Sequence, residues 1–132
     1  MLPVFRIDDG QAGPPPEPQN FVGTVRMQNL ASAGGASGIE VLAVFFDAGA
    51  RTRPHIHSTD QILYFVRGGG FVAFPGVDEQ PIEEGGIVVI PAGRLHMHGA
   101  RETGPLCHMA LRAAGPTDWN PELPEEWSRW VV

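Results

Sequence analysis

Glycine and proline divide this chain into short segments, and such frequent turn-forming residues argue against a helical bundle. The 132 residues include 17 Gly and 13 Pro, residue types that favour turns over regular elements. Between the breaks lie short runs rich in Val, Ile and Phe, which are typical of strands. Such spacing predicts an all-β sandwich or barrel. The predicted strands cover residues 21–27, 39–46, 61–66, 71–74, 86–90 and 106–111.

The start of the chain differs from this strand-rich part. Residues 10–18 read GQAGPPPEP, which predicts a polyproline-like arm on the surface or on a partner subunit. We therefore assign residues 1–20 to an N-terminal arm and residues 21–132 to a single barrel domain. Hydrophobic residues make up 42% of the chain and charged residues 18%, which suffices for a modest core.

A helical pattern is present near the end of the chain. Pro124 precedes two glutamates, and Trp127, Trp130 and Val131 recur at helical spacing, so we predict a short amphipathic helix. All three tryptophans, including Trp119, lie in this tail, and attachment of the tail to the barrel wall is favoured over a ligand-binding role.

Charge and residue usage exclude several functions. All nine basic residues are Arg, so a lysine Schiff base and a phosphate-loop lysine are ruled out. A net charge of -6 opposes binding to a nucleic-acid backbone. Cys107 is the single cysteine, and the sequence shows neither a secretion signal nor an apolar run long enough to span a bilayer. We expect a cytoplasmic protein without nucleic-acid or membrane partners.

All five histidines lie between positions 55 and 108. His55 and His57 are two residues apart, so on a strand both project to one face and can bind one ion. Gln61 has the same parity. His96 follows the sequence PAG at 91–93 and can be brought to them from another strand.

The spacing of these residues resembles the two cupin motifs. Gly49, five residues, HIH at 55–57, three residues, Gln61, six residues and Gly68 resemble the first, with Gln61 where that motif usually has Glu. Gly85, five residues, PAG, two residues and His96 resemble the second, with Ala100 where it usually ends in Asn.

This resemblance implies a fold and a metal site. The fold is a double-stranded β-helix, or jelly-roll, cupin barrel, and His55, His57, Gln61 and His96 fall on its four metal-ligand positions. More narrowly, the chain resembles small single-domain bacterial cupins with three His and one Gln, a subgroup of which are manganese-dependent hydroxynitrile lyases.

The chemistry of this ligand set is consistent with a divalent transition metal. Three imidazoles and an amide oxygen suit Mn, Fe, Co, Ni, Cu or Zn, and the resemblance favours manganese. Because Gln61 replaces a carboxylate, every protein ligand is neutral. The ion would keep its full charge and polarise a substrate oxygen strongly, at the cost of weaker metal retention.

Two further histidines are candidates for the site. His98 shares the parity of His96, which allows either an inward pocket position or a solvated or supporting one. His108 alternates with Cys107 and Met109, so burial of those two turns His108 toward the barrel interior. The resemblance gives His108 the role of a proton-transferring base, and a pocket-lining structural histidine is the alternative.

Other residues are assigned to the substrate pocket or to turns. Leu63 and Phe65 have the parity of Gln61 and are candidate pocket walls, although core packing explains them as well. Arg53 could hold a substrate carboxylate at the rim, but surface arginines are common. The triple glycine at 68–70 is interpreted as a hairpin turn.

We therefore expect a metal-dependent enzyme acting on a small organic substrate. The leading hypothesis is lyase-type carbon-carbon bond chemistry, as in a hydroxynitrile lyase, with His108 moving the proton. A dioxygenase with a redox-active metal is one alternative, and a non-catalytic binding module is another. The arm and exposed strand edges are easily covered by a partner, so a homodimer is expected.

Overall fold

The structure, a computed structural model, describes residues 1–30 and 38–130. Twelve strands lie within these residues, and all of their pairings are antiparallel. They are β1 (Phe21–Val22), β2 (Val25–Asn29), β3 (Ile39–Phe46), β4 (Arg51–Thr52), β5 (Ile56–His57), β6 (Gln61–Arg67), β7 (Gly70–Phe74), β8 (Val77–Ile82), β9 (Ile87–Ile90), β10 (Met97–Ala100), β11 (Leu106–Ala113) and β12 (Thr117–Asp118).

The strands form two five-stranded sheets and one two-stranded ribbon. The first sheet has the order β1-β4-β10-β7-β8, the second has the order β2-β3-β11-β6-β9, and β12 pairs with β5. Apolar side chains between the two sheets make the main core, in which Phe46, Leu63 and Phe65 are almost completely buried. The predicted all-β jelly-roll barrel is confirmed.

Successive side chains of a strand point to opposite faces, and this alternation determines which of them point into the barrel. In β6 the odd-numbered residues from Gln61 to Phe65 are buried and the even-numbered residues are exposed, as expected for a strand with one face on a core. In β11, His108 and Ala110 are buried inside, whereas Cys107 joins a separate cluster with Phe45 on the outer face. The predicted inward orientation of His108 is confirmed.

Most of the predicted apolar runs are strands, but one of them is interrupted and a polar strand is missed. The run at 39–46 is β3, but the run at 21–27 is broken at Gly23, which has a left-handed φ of 83°. Strand β8 has the sequence VDEQPI and was not predicted, because its polar side chains suit an exposed edge strand better than a buried one.

The triple glycine does not form a hairpin turn. It connects β6 to β7, which belong to different sheets, so the segment is a corner where the chain crosses the barrel. A Cβ at Gly68 would collide with the Pro105 carbonyl oxygen, and one at Gly70 would collide with the Gly99 carbonyl oxygen. Gly68 and Gly70 are therefore required by this close backbone approach.

Both ends of the chain pack on the outside of the barrel. The arm contains 3-10 turns at Asp9–Gln11 and Pro18–Asn20 and bridges β2 through Gly13 and Met27. The predicted C-terminal helix is present as a 3-10 helix, Glu125–Trp130, although Val131 lies outside the described residues. Trp127 is fully buried against Phe71, Ala73 and Met97 and so attaches the tail to the barrel, as predicted.

In residues 1–30 and 38–130, no helix combines the length and the apolar character that crossing a bilayer requires.

Candidate metal centre

The four predicted metal-ligand residues come from separate segments and meet inside the barrel. His55 lies just before β5 and forms a backbone bridge with His96, which lies just before β10. His57 ends β5 and Gln61 begins β6. All four residues are at least 94% buried, and polar side chains are seldom buried so deeply unless their polar atoms are satisfied.

The three imidazole rings stand close enough together to share one ion. The ring centroid of His55 lies 4.3 Å from that of His96 and 4.8 Å from that of His57, and the His57 and His96 centroids are 5.3 Å apart. The geometry brings together the three histidines that the two motifs predicted.

Hydrogen bonds fix the tautomers of two of these rings. The Nδ1 atoms of His55 and His96 lie 2.7 Å and 2.9 Å from the carbonyl oxygens of Arg53 and Arg94. A carbonyl can only accept, so each Nδ1 carries the proton and donates it. Each Nε2 is therefore left with a free lone pair, which is the arrangement that a metal-bound histidine requires.

Three buried side-chain atoms in the site lack a hydrogen-bond partner within residues 1–30 and 38–130. They are His57 Nε2, Gln61 Oε1 and His96 Nε2. A buried unpaired polar atom costs roughly 1–3 kcal/mol, so three of them at one place require an explanation. A cation bound between them would satisfy all three, and nitrogen and amide-oxygen donors suit a divalent transition metal. The residues present thus fit a metal ion.

His98 also belongs to this cluster. Ring nitrogens of His55, His96 and His98 all lie within 4.8 Å of one another, which makes these residues a possible three-histidine metal site. The sequence allows His98 either a pocket position or a solvated one, and its 4% exposure places it inside. The structure therefore offers two overlapping ligand sets that share His55 and His96.

His98 connects the cluster to His108. His98 Nδ1 lies 3.0 Å from His108 Nε2, and His108 is completely buried. Phe46 and Phe65 enclose the His108 ring, with centroids 5.0 Å and 5.6 Å away. The two histidines form a hydrogen-bonded pair in an apolar pocket, with His98 nearer to the possible metal ligands.

Burial lowers the pKa of every histidine in the cluster. It lowers the pKa of His57 to about 3 and the pKa values of His96 and His108 to about 4. The pKa values of His55 and His98 are also well below the usual range, first because of burial and then because of neighbouring histidines. All five rings are neutral near pH 7, and neutral imidazole is the form that binds metals.

The predicted pocket residues are divided between two places. Leu63 and Phe65 are fully buried in the barrel core, and Phe65 contacts His108. Arg53 instead lines a cleft of about 290 Å³ beneath the C-terminal tail, together with Trp119 and Trp130.

Two supporting residues from the tail were not predicted. Thr117 Oγ1 lies 2.8 Å from His57 Nδ1, and Trp119 stacks on the His55 ring. Pairing of β12 with β5 places Thr117 opposite His57. The sequence carries no local signal for this contact, because 60 residues separate the partners.

The fold and site together define a small antiparallel β-barrel that encloses a histidine-rich candidate metal centre. The sequence model of the family described as "Cupin domain" matches residues 43–111. The chain therefore belongs to the cupin family.

Individual relatives agree with this assignment. The (R)-mandelonitrile lyase of Granulicella tundricola is 31% identical over 112 residues, which cover 83% of this chain and 86% of the relative. A cupin-like protein from Thermotoga maritima is 34% identical, with a TM-score of 0.71 over 83% of this chain and 85% of that one. The polyketide cyclase RemF from Streptomyces resistomycificus has a TM-score of 0.72 over 92% of this chain and 88% of its own, but its 15% identity shows a shared fold alone.

Proposed function

We propose that this cupin is a metal-dependent lyase that breaks or forms a carbon-carbon bond in a small organic molecule. The observation that carries the proposal is the set of buried, unpartnered polar atoms on His57, Gln61 and His96 beside a hydrogen-bonded histidine pair. A site for a cation and a site for a proton thus lie next to each other, which is what general acid-base chemistry at a metal requires.

His55, His57, Gln61 and His96 are the residues that we propose hold the ion, with manganese as the first candidate. A divalent ion bound there would supply a Lewis acid that polarises a hydroxyl or carbonyl oxygen. The alternative set consists of His55, His96 and His98. We favour the first set because it explains the unpartnered atoms of His57 and Gln61.

The proposed proton acceptor is the His98–His108 pair. His108 is neutral near pH 7, because burial lowers its pKa to about 4, so it has a free lone pair for a proton. His98 stands between His108 and the proposed ligands. In this proposal a proton leaves the substrate hydroxyl for His98, and His108 stabilises the resulting charge or accepts the proton in turn.

The similarity to (R)-mandelonitrile lyase suggests cyanohydrins as the substrate class. In such a reaction the hydroxyl loses its proton, the bond to the nitrile carbon breaks, and the electron pair leaves with cyanide. The pair of histidines then returns the proton to cyanide. The products are a carbonyl compound and hydrogen cyanide, so atoms and charges balance.

Turnover of mandelonitrile by the metal-loaded protein tests this proposal. Benzaldehyde release is followed by absorbance and oxygen consumption by an electrode, with the metal content measured in the same samples. We expect benzaldehyde without oxygen uptake, and we expect His108→Ala to keep the metal and lose at least 100-fold in kcat. Arg6→Ala, which is exposed and outside the barrel, is the control and should match the wild type.

Three outcomes would contradict the proposal. Oxygen uptake with a bidentate substrate would indicate a dioxygenase. Tight binding of small ligands without turnover would indicate a binding module. Full activity of metal-loaded His108→Ala would show that His108 has no part in proton transfer.

A further inference from the structure

The cleft beneath the C-terminal tail combines apolar walls with one charged group. We call it the tail cleft. Its volume is about 290 Å³, which is close to the lower end of the range for small-molecule pockets. The apolar part of its lining includes Pro54, Trp119, Leu123 and Trp130. Among the residues that the structure describes, Arg53 is the only charged residue that lines it.

The side chain of Arg53 has no counter-charge. Within residues 1–30 and 38–130, no ion pair and no side-chain hydrogen bond includes its guanidinium. The side chain is half-buried, and its Nε atom is buried without an acceptor. Burial of a charged group without a partner is unfavourable. An anion in the tail cleft would relieve this cost.

The surroundings of Trp130 also favour an anion. Trp130 Nε1 is a second buried donor without an acceptor in the described part of the chain. The guanidinium carbons of Arg51 and Arg129 lie 4.3 Å and 4.7 Å from the Trp130 ring centroid, and Arg129 is offset by Asp78 at 3.7 Å. Positive charge and unused donors are thus concentrated at this place, although the chain as a whole has a net charge of -6.

The chemistry of the tail cleft favours a carboxylate that carries an apolar group. A guanidinium is a planar fork that binds the two oxygens of a carboxylate side by side. The indole rings and aliphatic side chains of the lining suit a hydrocarbon ring or a short chain. A bare oxyanion such as phosphate would leave these apolar walls uncovered.

The tail cleft is adjacent to the candidate metal centre but separate from it. Trp119 lines the cleft and stacks on the His55 ring. The Arg53 side chain also lines the cleft, while the Arg53 carbonyl accepts from His55 Nδ1. None of the proposed metal ligands lines the cleft in the described residues. A carboxylate bound to Arg53 would therefore lie behind a proposed ligand and would not touch the ion.

We propose that the tail cleft is a binding site for a small organic carboxylate. The carboxylate pairs with the Arg53 guanidinium, and the apolar part of the molecule packs on the indole rings of Trp119 and Trp130. This proposal does not rest on the proposed lyase function, because no residue that holds the ion or moves the proton takes part in it.

Calorimetric titration of the full chain with cyclohexanecarboxylate tests the proposal. We expect one binding site per chain. Acetate lacks the apolar body and cyclohexanecarboxamide lacks the charge, so each should bind at least tenfold more weakly. Inorganic phosphate, the bare oxyanion, should also bind at least tenfold more weakly. Tryptophan fluorescence should change during the same titration, because two of the three tryptophans line the cleft.

Variants of Arg53 test whether its side chain holds the carboxylate. Arg53→Gln should lower the affinity at least tenfold, and Arg53→Lys should restore only part of it, because an ammonium group lacks the planar fork. Arg94→Gln is the matched control. The Arg94 carbonyl accepts from His96 as the Arg53 carbonyl accepts from His55, but the Arg94 side chain lies over Phe74, away from the cleft. This control should bind like the wild type.

A second titration distinguishes the tail cleft from the metal centre. A carboxylate that coordinates a metal ion would lose its site when the metal is removed, whereas the lining of the tail cleft contains no proposed ligand. We therefore expect about the same affinity for cyclohexanecarboxylate before and after treatment with a chelator. Thermal unfolding of each sample shows whether the barrel is intact.

Several results would overturn this site. Equal affinity of the wild type and folded Arg53→Gln would remove Arg53 from it. Binding that disappears with the metal would transfer the carboxylate to the metal centre. Acetate or phosphate that binds as tightly as cyclohexanecarboxylate would contradict a role for the apolar walls. Neither heat nor a fluorescence change with any of these compounds would show that the cleft takes no ligand of this class.

Discussion

The indole ring of Trp119 stacks on the imidazole ring of His55, with centroids 4.2 Å apart and ring planes 27° apart. His55 also donates its Nδ1 proton to the Arg53 carbonyl, so the ring is held at one nitrogen and along one face. The direction of the Nε2 lone pair is thereby fixed as well. The C-terminal tail thus packs on the barrel and also sets the orientation of a proposed metal ligand.

Loss of the Trp119 ring should weaken metal binding. In Trp119→Ala one face of His55 is unsupported, and loss of a residue that orients a ligand typically lowers metal affinity about 10- to 100-fold. Competition with a chelator measures the affinity. Trp130→Ala is the control, because Trp130 is on the same tail but contacts Arg51 and Arg129. Equal affinity of wild type and Trp119→Ala would show that the stack is structural.

The hydroxyl of Thr117 should matter in the same way. Thr117→Val keeps the shape of the side chain but removes the oxygen that lies 2.8 Å from His57 Nδ1. We expect metal affinity to fall about 10- to 100-fold, and Thr117→Ser should restore most of it. A Ser variant that binds as weakly as the Val variant would argue against the hydrogen bond as the cause.

Replacement of Gln61 by Glu should change metal retention and activity in opposite directions. A carboxylate at this position would hold a divalent ion more tightly, but it would neutralise part of the ion's charge and reduce polarisation of the substrate. We expect slower metal loss during dialysis and a lower kcat for Gln61→Glu. Faster metal loss than in the wild type would contradict a ligand role for residue 61, and Gln61→Ala serves as the reference for a missing ligand.

Acid should destabilise the metal-free protein through its buried histidines. In the unfolded chain His108 takes up a proton near pH 6.5, whereas in the folded protein burial lowers its pKa to about 4. Between these values the unfolded state binds more protons, so the free energy of unfolding falls as the pH is lowered from 6.5 to 4. The shift for this one residue corresponds to about 3 kcal/mol.

Urea unfolding at pH 7.0, 5.5 and 4.5 measures this dependence. His108→Gln removes one titrating group and should show a shallower decrease than the wild type. The exposed variant Arg6→Ala should retain the full slope. Identical slopes for His108→Gln and the wild type would show that His108 does not titrate on unfolding.

Local spacing was sufficient to predict the proposed ligand set. His55, His57 and Gln61 are close in the sequence and share strand parity, and His96 follows a recognisable turn. The apolar strands were predictable for the same reason, since alternation is a local property. The inward position of His108 followed from the outward position of Cys107.

Contacts between distant segments were not predictable from that information. The Thr117–His57 hydrogen bond joins residues 60 apart, and the His98–His108 pair depends on the placement of β10 and β11 in different sheets. The prediction of a hairpin at residues 68–70 is wrong because local turn chemistry does not reveal which sheet the next strand enters. Strand β8 was missed because an exposed edge strand needs no apolar face.

Elemental analysis of protein purified without added metal tests the central claim most directly. The account predicts about one transition-metal ion per chain in the wild type and in His98→Ala, and almost none in His57→Ala or His96→Ala. Loss of the ion from His98→Ala with retention in His57→Ala would transfer the site to the three-histidine set of His55, His96 and His98. Absence of metal from the wild type, with no uptake on reconstitution, would contradict a metal centre in this barrel.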